Sequence, residues 1–229
     1  MEEYYMDQNM QNLWQNLHKQ NRFRPKYPAE LIVQYVFKNF TRDKGTKVLD
    51  IGCGAGRHVY FMANENIDAY GVDISQSGIE YTTKLLKENG VSANLKISSM
   101  DKLPFEDNYF EGIICYGVLY YCKNKEIKNA VNEMKRVLVE NGKGLVVVRN
   151  KKDYRYGKGK EIEKNTFLIK ERDKNKCAFN ENGMTMHFFD RKEVEELFKQ
   201  FKEVEIDEII ETHENGKYCD SNFVIKFEK

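Results

Sequence analysis

Three glycines at alternate positions close the run Val48-Leu49-Asp50-Ile51-Gly52-Cys53-Gly54-Ala55-Gly56. An apolar strand that empties into glycines just ahead of a helix can turn sharply, approach a ligand closely and offer it the amide donors of the helix start. The spacing is G-x-G-x-G. Counted from Gly52, Arg57 stands where a dinucleotide fingerprint has its third glycine, which argues against a nicotinamide oxidoreductase. Asp73 ends the next apolar segment, seventeen positions after Gly56. A carboxylate there faces the ligand beside the glycine turn and can accept from two ribose hydroxyls. Ser99-Met100-Asp101 and Cys115-Tyr116-Gly117 end two further apolar segments.

For these four groups to converge, the segments before them must be neighbouring strands of one sheet. Lys47–Ile51, Ala69–Asp73, Ala93–Ile97, Glu111–Tyr116 and Gly144–Val148 read as strands. Between them lie helical segments: residues 57–63, a Ser75-capped helix with Ile79, Leu85 and Leu86 inward, and a helix carrying Ile127, Val131, Met134, Val137 and Leu138 that Asn141-Gly142 stops. Strands alternating with helices give a doubly wound α/β fold, a mostly parallel sheet covered on both faces. Its carboxyl edge, where all four groups fall, is where such folds bind ligands.

Outside this core, Met6, Met10, Leu13, Trp14 and Leu17 recur at helical spacing, and two prolines punctuate Phe23 to Pro28 before a helix running to about Phe40. Residues 151–187 break the rhythm and read as a polar insertion. A helix with Val194, Leu197, Phe198 and Phe201 resumes it, and Val204–Ile210 and Asn222–Phe227, joined around Asn215-Gly216, suit a C-terminal antiparallel hairpin. The expectation is one domain over 1–229: a helical lid and linker (1–45), a ligand-binding core (46–150), a specificity insertion (151–187) and a closing helix and hairpin (188–229).

With 41% hydrophobic and 32% charged residues the 229-residue chain can bury a full core, and its net charge of +1 gives no global attraction to nucleic acid or an anionic membrane. Cys53, Cys115, Cys122, Cys177 and Cys219 include no C-x-x-C pair, so they read as reduced thiols with no metal site. The N-terminus lacks signal-peptide chemistry and no apolar run reaches spanning length, so a cytoplasmic protein with no membrane association is expected.

The runs VLDIGCGAGRH at Val48 to His58, GVDIS at Gly71 to Ser75, SMDKLPFEDNYFEGIICYGVLYY at Ser99 to Tyr121 and EMKRVLVENGKGLVVV at Glu133 to Val148 resemble the class I S-adenosylmethionine-dependent methyltransferases. The resemblance implies a seven-stranded sheet and S-adenosyl-L-methionine as cofactor. It implies that Asp50, Gly52, Cys53, Gly54 and Gly56 meet the methionine moiety, that Asp73 holds the ribose, and that Asp101 reaches the adenine amino group. Ile74 and Met100 would sandwich the adenine, with Tyr116 beside them. Cys53 and Cys115 read as small packing residues, not nucleophiles, and His58 as structural.

Methyl transfer needs a base only where the acceptor is protonated. His187 and Tyr120 are the candidates, with Tyr116, Tyr121, Tyr154 and Tyr156 nearby in the sequence pattern, although a histidine before Phe188-Phe189 also suits a packed position. Nucleic-acid amino methyltransferases of this fold carry Asp or Asn, two prolines and an aromatic residue after strand four. Here the place reads Cys115-Tyr116-Gly117-Val118, which argues against a nucleic-acid substrate. From Lys151 to Lys176, ten Lys and Arg face five Asp and Glu. That bias suits either a solvated loop face or a phosphate site, and on the second reading the acceptor is a small anionic metabolite such as a phosphorylated or nucleotide-linked sugar. A non-catalytic cofactor-binding module and a tellurite-resistance-like detoxifying enzyme are the alternatives, and the oligomeric state is left open.

Overall fold

The computed structural model describes the backbone from Glu2 and the side chains from Met10 to Lys229; Met6 of the expected apolar stripe lies outside the described side chains. Strands β1 (Lys47–Ile51), β2 (Asp68–Asp73), β3 (Asn94–Ile97), β4 (Phe110–Tyr116) and β5 (Leu138–Arg149) form the parallel part of a seven-stranded sheet. The C-terminal hairpin, here named β9 (Lys202–His213) and β10 (Tyr218–Glu228), adds two antiparallel strands, giving the order β3-β2-β1-β4-β5-β10-β9.

The central strands β1, β2, β4 and β5 are largely buried because both faces of the sheet are covered there, whereas the edge strands β3 and β9 are largely exposed. Val48, Ala69, Ile114 and Val147 point to one face, packing against Ile32 and Val36 of α2 (Glu30–Asn39), Val59 and Met62 of α3 (Arg57–Asn64) and Leu86 of α4 (Gln76–Glu88). Their strand neighbours Leu49, Tyr70, Ile113 and Val148 point the other way, against Ile127, Val131 and Met134 of α5 (Asn124–Val137) and Val194 and Phe198 of α6 (Arg191–Phe198). The Ser75 hydroxyl caps α4 by accepting from the Gly78 amide at 3.1 Å.

The expected end of α5 is displaced. The helix stops at Val137 and the chain is extended from Leu138, so Asn141-Gly142, with Asn141 at φ +61°, bends the strand at a register shift in the β4–β5 ladder and does not end the helix.

The insertion is not a solvated loop. Strands β6 (Gly159–Glu163), β7 (Thr166–Ile169) and β8 (Thr185–His187) form a separate antiparallel sheet, and Phe167, Ile169 and Met186 join the same apolar cluster as α5 and α6. At its root lies a buried charge network: Arg155, only 1% exposed, meets Glu181 at 2.6 Å, Asp220 at 2.7 Å and Asp153 at 3.2 Å, and Arg149 meets Asp153 at 2.7 Å.

The N-terminal helix α1 (Glu2–His18) crosses the carboxyl edge of the sheet. Gln11 Nε2 donates to the Ile74 carbonyl at 3.0 Å, and Ser77 donates its amide to Gln15 Oε1 at 3.1 Å and its hydroxyl to the Gln15 carbonyl at 2.9 Å. Among the described residues no helix is long and apolar enough to cross a membrane.

Candidate functional site

A cavity of about 790 Å³ opens at the carboxyl ends of β1, β2, β3 and β4, within the size range of small-molecule sites. Its base is the glycine turn. Gly52 and Gly56 have φ of +71° and +81°, and a Cβ added to them would stand 2.5 Å from the Val118 methyls and 2.4 Å from Thr82 Cγ2. Only glycine satisfies both the left-handed backbone and the close approach. The Gly52 and Cys53 amides donate to the Val72 carbonyl at 2.8 and 3.0 Å, pinning the turn to the end of β2.

Asp73 sits at that end, 8% exposed and on the cavity wall. Its Oδ2 accepts from the Gly54 amide and its Oδ1 from the Ser75 amide, both at 2.8 Å. Burial pushes its pKa up to about 6, against the pull of those two amides. The carboxylate therefore couples the glycine turn to the start of α4 and keeps lone pairs available for donors in the cavity.

Of the other residues expected here, Gly52, Cys53, Gly54, Gly56, Ile74, Met100 and Tyr116 line the cavity. Burial, with Asp73 and Asp50 nearby, raises the Cys53 thiol well above its usual range, so it stays protonated. Asp50 lies behind the wall, 1% exposed, with Oδ2 3.7 Å from His58 Nδ1. His58 in turn accepts from the Ala29 amide at 3.3 Å, tying the linker to the glycine strand. Asp101 stands off the wall as well: its carboxylate accepts from the Ser99 hydroxyl at the rim, and Ser99 is the lining residue.

Both candidate bases are displaced from the cavity. His187 is fully buried in β8, with Nδ1 2.8 Å from the Thr166 hydroxyl and Nε2 3.0 Å from Glu193, a packed position that no acceptor can reach. Tyr120 is buried behind the wall beneath the Arg149 guanidinium, 5.0 Å from its ring centroid. The whole segment 151–187 contributes no residue to the cavity lining. His187→Ala is therefore expected to cost about 1–3 kcal/mol of stability through the orphaned Thr166 hydroxyl and the void, read in a denaturant titration, with ligand affinity in the cavity unchanged.

The roof comes instead from the N-terminus. Met10, Trp14 and His18 stand four residues apart on α1, and Arg22, Phe23 and Pro25 follow. His18 is 5% exposed and lies over the glycine turn; a Cβ on Gly54 would be 3.2 Å from its Nε2. Burial, then the Arg24 charge, lowers its pKa to about 4, so the imidazole is neutral at ordinary pH. The i, i+4, i+8 row of Met10, Trp14 and His18 was visible as a helical stripe, and extending it one turn to His18 would have found this residue.

Residues 48–142 match the family model of a methyltransferase domain. A ubiquinone biosynthesis O-methyltransferase of Rickettsia felis is 29% identical over 145 residues, covering 62% of this chain and 56% of that protein. The chain spans about half the length of the curated relatives it matches. An S-adenosylmethionine-dependent methyltransferase of Methanosarcina mazei superposes with a TM-score of 0.69 over 89% of this chain and 98% of its own, at 22% identity. Phosphoethanolamine N-methyltransferase 2 of Haemonchus contortus, solved in complex with S-adenosyl-L-methionine, gives 0.63 over 87% of this chain and 52% of its own, at 15% identity. At these identities the structural likeness is one of fold.

Proposed function

We propose that the chain, which matches a methyltransferase domain over residues 48–142, is a class I S-adenosylmethionine-dependent methyltransferase that binds S-adenosylmethionine in this cavity and methylates a small-molecule acceptor there. The observation that carries the reading is the buried Asp73 carboxylate, bonded to the glycine turn and facing the same cavity. The residues fit the cofactor. Asp73 accepts from ribose hydroxyls, Ile74 and Met100 offer apolar flanks for adenine, and the glycines clear space for the methionine portion. When bound, the cofactor supplies a methyl carbon on a sulfonium, open to in-line attack by an acceptor lone pair.

The protein's part is positioning and exclusion of water, and well-oriented reactants gain up to ~7–11 kcal/mol. His18 is the uncharged imidazole on the wall, able to accept a hydrogen bond from an acceptor hydroxyl or amine. An anionic acceptor finds its counter-charge in Arg22 and Arg57 on the wall, and not in the insertion lysines on which a phosphorylated or nucleotide-linked sugar was expected to bind. The acceptor is a small molecule and not a nucleic acid, given Cys115-Tyr116-Gly117-Val118 after β4, and the enzyme acts in the cytoplasm, where its five free thiols stay reduced.

Calorimetric titration with S-adenosylhomocysteine tests the reading: saturable one-to-one binding is expected, and a flat titration sinks it. Release of S-adenosylhomocysteine from S-adenosylmethionine in the presence of acceptors separates an enzyme, detoxifying or biosynthetic, from a binding module. Because the Met10 to His18 part of α1 roofs the cavity, its amides should gain protection from hydrogen exchange when S-adenosylhomocysteine binds. Equal, strong protection with and without ligand would make α1 a fixed wall.

A further inference from the structure

The outer wall of the cavity holds two aromatic rings from elements far apart in the sequence. Trp14 on α1 meets Tyr121, on the short helical turn after β4, with ring centroids 4.9 Å apart and planes at 80°. Tyr121 is anchored from behind. Its hydroxyl donates to Glu181 Oε1 at 2.9 Å, the other Glu181 oxygen accepts from the buried Arg155 at 2.6 Å, and Tyr120 packs against the ring at 4.5 Å. Burial and the neighbouring Glu181 push the Tyr121 phenol well up, so its proton stays with that hydrogen bond and the ring is the surface the cavity meets. This is how the insertion, which lines nothing itself, reaches the site.

Two guanidinium groups share the wall. Arg22 bonds Asn180 at 3.3 Å and lies over the Phe23 ring, and Arg57 lies over the Tyr116 ring 5.2 Å from its centroid; neither forms an ion pair among the described residues. The Glu126 carboxylate on the same wall accepts from the Lys123 amide at 2.7 Å.

We infer, on the methyltransferase reading above, that Trp14 and Tyr121 clamp a planar aromatic acceptor and that Arg22 and Arg57 pair with a negative charge it carries. The two rings meet at 80°, so a planar molecule against both is stacked on one and edge-on to the other, each a favoured aromatic geometry. Met10, Met100 and Val118 also line the cavity and add apolar surface that suits a ring better than a hydroxyl-covered sugar. An ammonium acceptor would face the two guanidiniums. The class that suits rings, apolar side chains and guanidinium groups together is an aromatic acid or phenolate.

The test titrates benzoate and 3,4-dihydroxybenzoate into the full-length protein saturated with S-adenosylhomocysteine, with glucose 6-phosphate and phosphoethanolamine as comparators. The aromatic acids should bind and the comparators should not. Trp14→Ala and Tyr121→Ala should each weaken the aromatic acids roughly threefold to tenfold, while Tyr121→Phe, which keeps the ring, retains most of the affinity. Arg22→Ala should weaken them in a way that added salt also does, leaving S-adenosylhomocysteine unaffected. No binding of either aromatic acid, binding of glucose 6-phosphate or phosphoethanolamine in their place, or an unchanged affinity in Tyr121→Ala overturns the clamp. A loss of S-adenosylhomocysteine affinity in Arg22→Ala hands the guanidinium to the cofactor and overturns the charge pairing. Failure of wild-type protein to bind S-adenosylhomocysteine at all would instead overturn the methyltransferase reading.

Discussion

Asp73→Asn will lose most of its affinity for S-adenosylhomocysteine, by roughly 10- to 150-fold, because hydrogen bonds to a charged group contribute ~1.5–3 kcal/mol. The side chain serves two partners within the protein, the Gly54 and Ser75 amides, and on the proposed function two ribose hydroxyls as well. An amide of the same shape presents an NH2 group to one of those amides, so the turn and the ribose site suffer together.

The same residue sets a pH dependence. Its pKa in the folded protein, about 6, lies above the ordinary carboxylate value of 3.8. Between those two values the folded state holds a proton that the unfolded state has released, so Asp73 makes stability fall as pH rises through this window and stay level above it. Ligand binding runs the other way. Ribose hydroxyls donate to the ionised carboxylate, so binding releases the proton, and affinity should fall as pH drops below about 6, by about tenfold one unit lower, where roughly one site in ten is ionised. Titrations between about pH 7.5 and pH 5 measure it, and Asp73→Asn should flatten the curve. A wild-type affinity constant across that range would detach the carboxylate from the ligand.

What could be read in the sequence follows from what is local. The glycine turn, Asp73 and the five parallel strands were legible because each is an apolar run ended by residues with special backbone needs, and the boundaries of β1 and α3 fell within a residue of expectation. Helix α5 was read too long because Leu138 continues the apolar stripe; the strand pairing of Leu138 with Phe110 decides its conformation, and that partner is remote. His187 stood as a candidate base although the Phe188-Phe189 pair after it also suited a packed position. Its real partner, Thr166, lies across the β7–β8 ladder. The insertion misled for a related reason: counting its charges as a solvated face overlooks that Arg155 is spent on Asp153, Glu181 and Asp220, and that Lys158 stands 3.7 Å from Glu171. Charge pairing is a property of the folded chain, and no count along the sequence contains it.

Arg155→Ala is expected to be the most destabilising single change in the molecule. Burial and the adjacent Arg149 work against the charge on Arg155, but Glu181, Asp153 and Asp220 outweigh them and hold it well above the usual arginine range. Removing it leaves Asp153 and Glu181, 2% and 7% exposed, with Arg149 as their remaining cation. Breaking a buried pair from one side costs about 3–5 kcal/mol, much of it the penalty for the carboxylate left behind. In a domain of this size each kcal/mol moves the melting temperature by roughly 2–4 °C, so a fall of roughly 6–20 °C should appear in thermal unfolding followed by circular dichroism. Asp220 is less demanding, since its partly exposed side chain can turn to water. If the cost is chiefly the stranded Glu181, adding Glu181→Gln to the Arg155→Ala protein should return part of the loss, whereas Glu181→Gln alone should destabilise. Additive losses in the double variant would mean that Arg155 acts by filling space, through the packing of its stem and of the Tyr154 ring beneath its guanidinium.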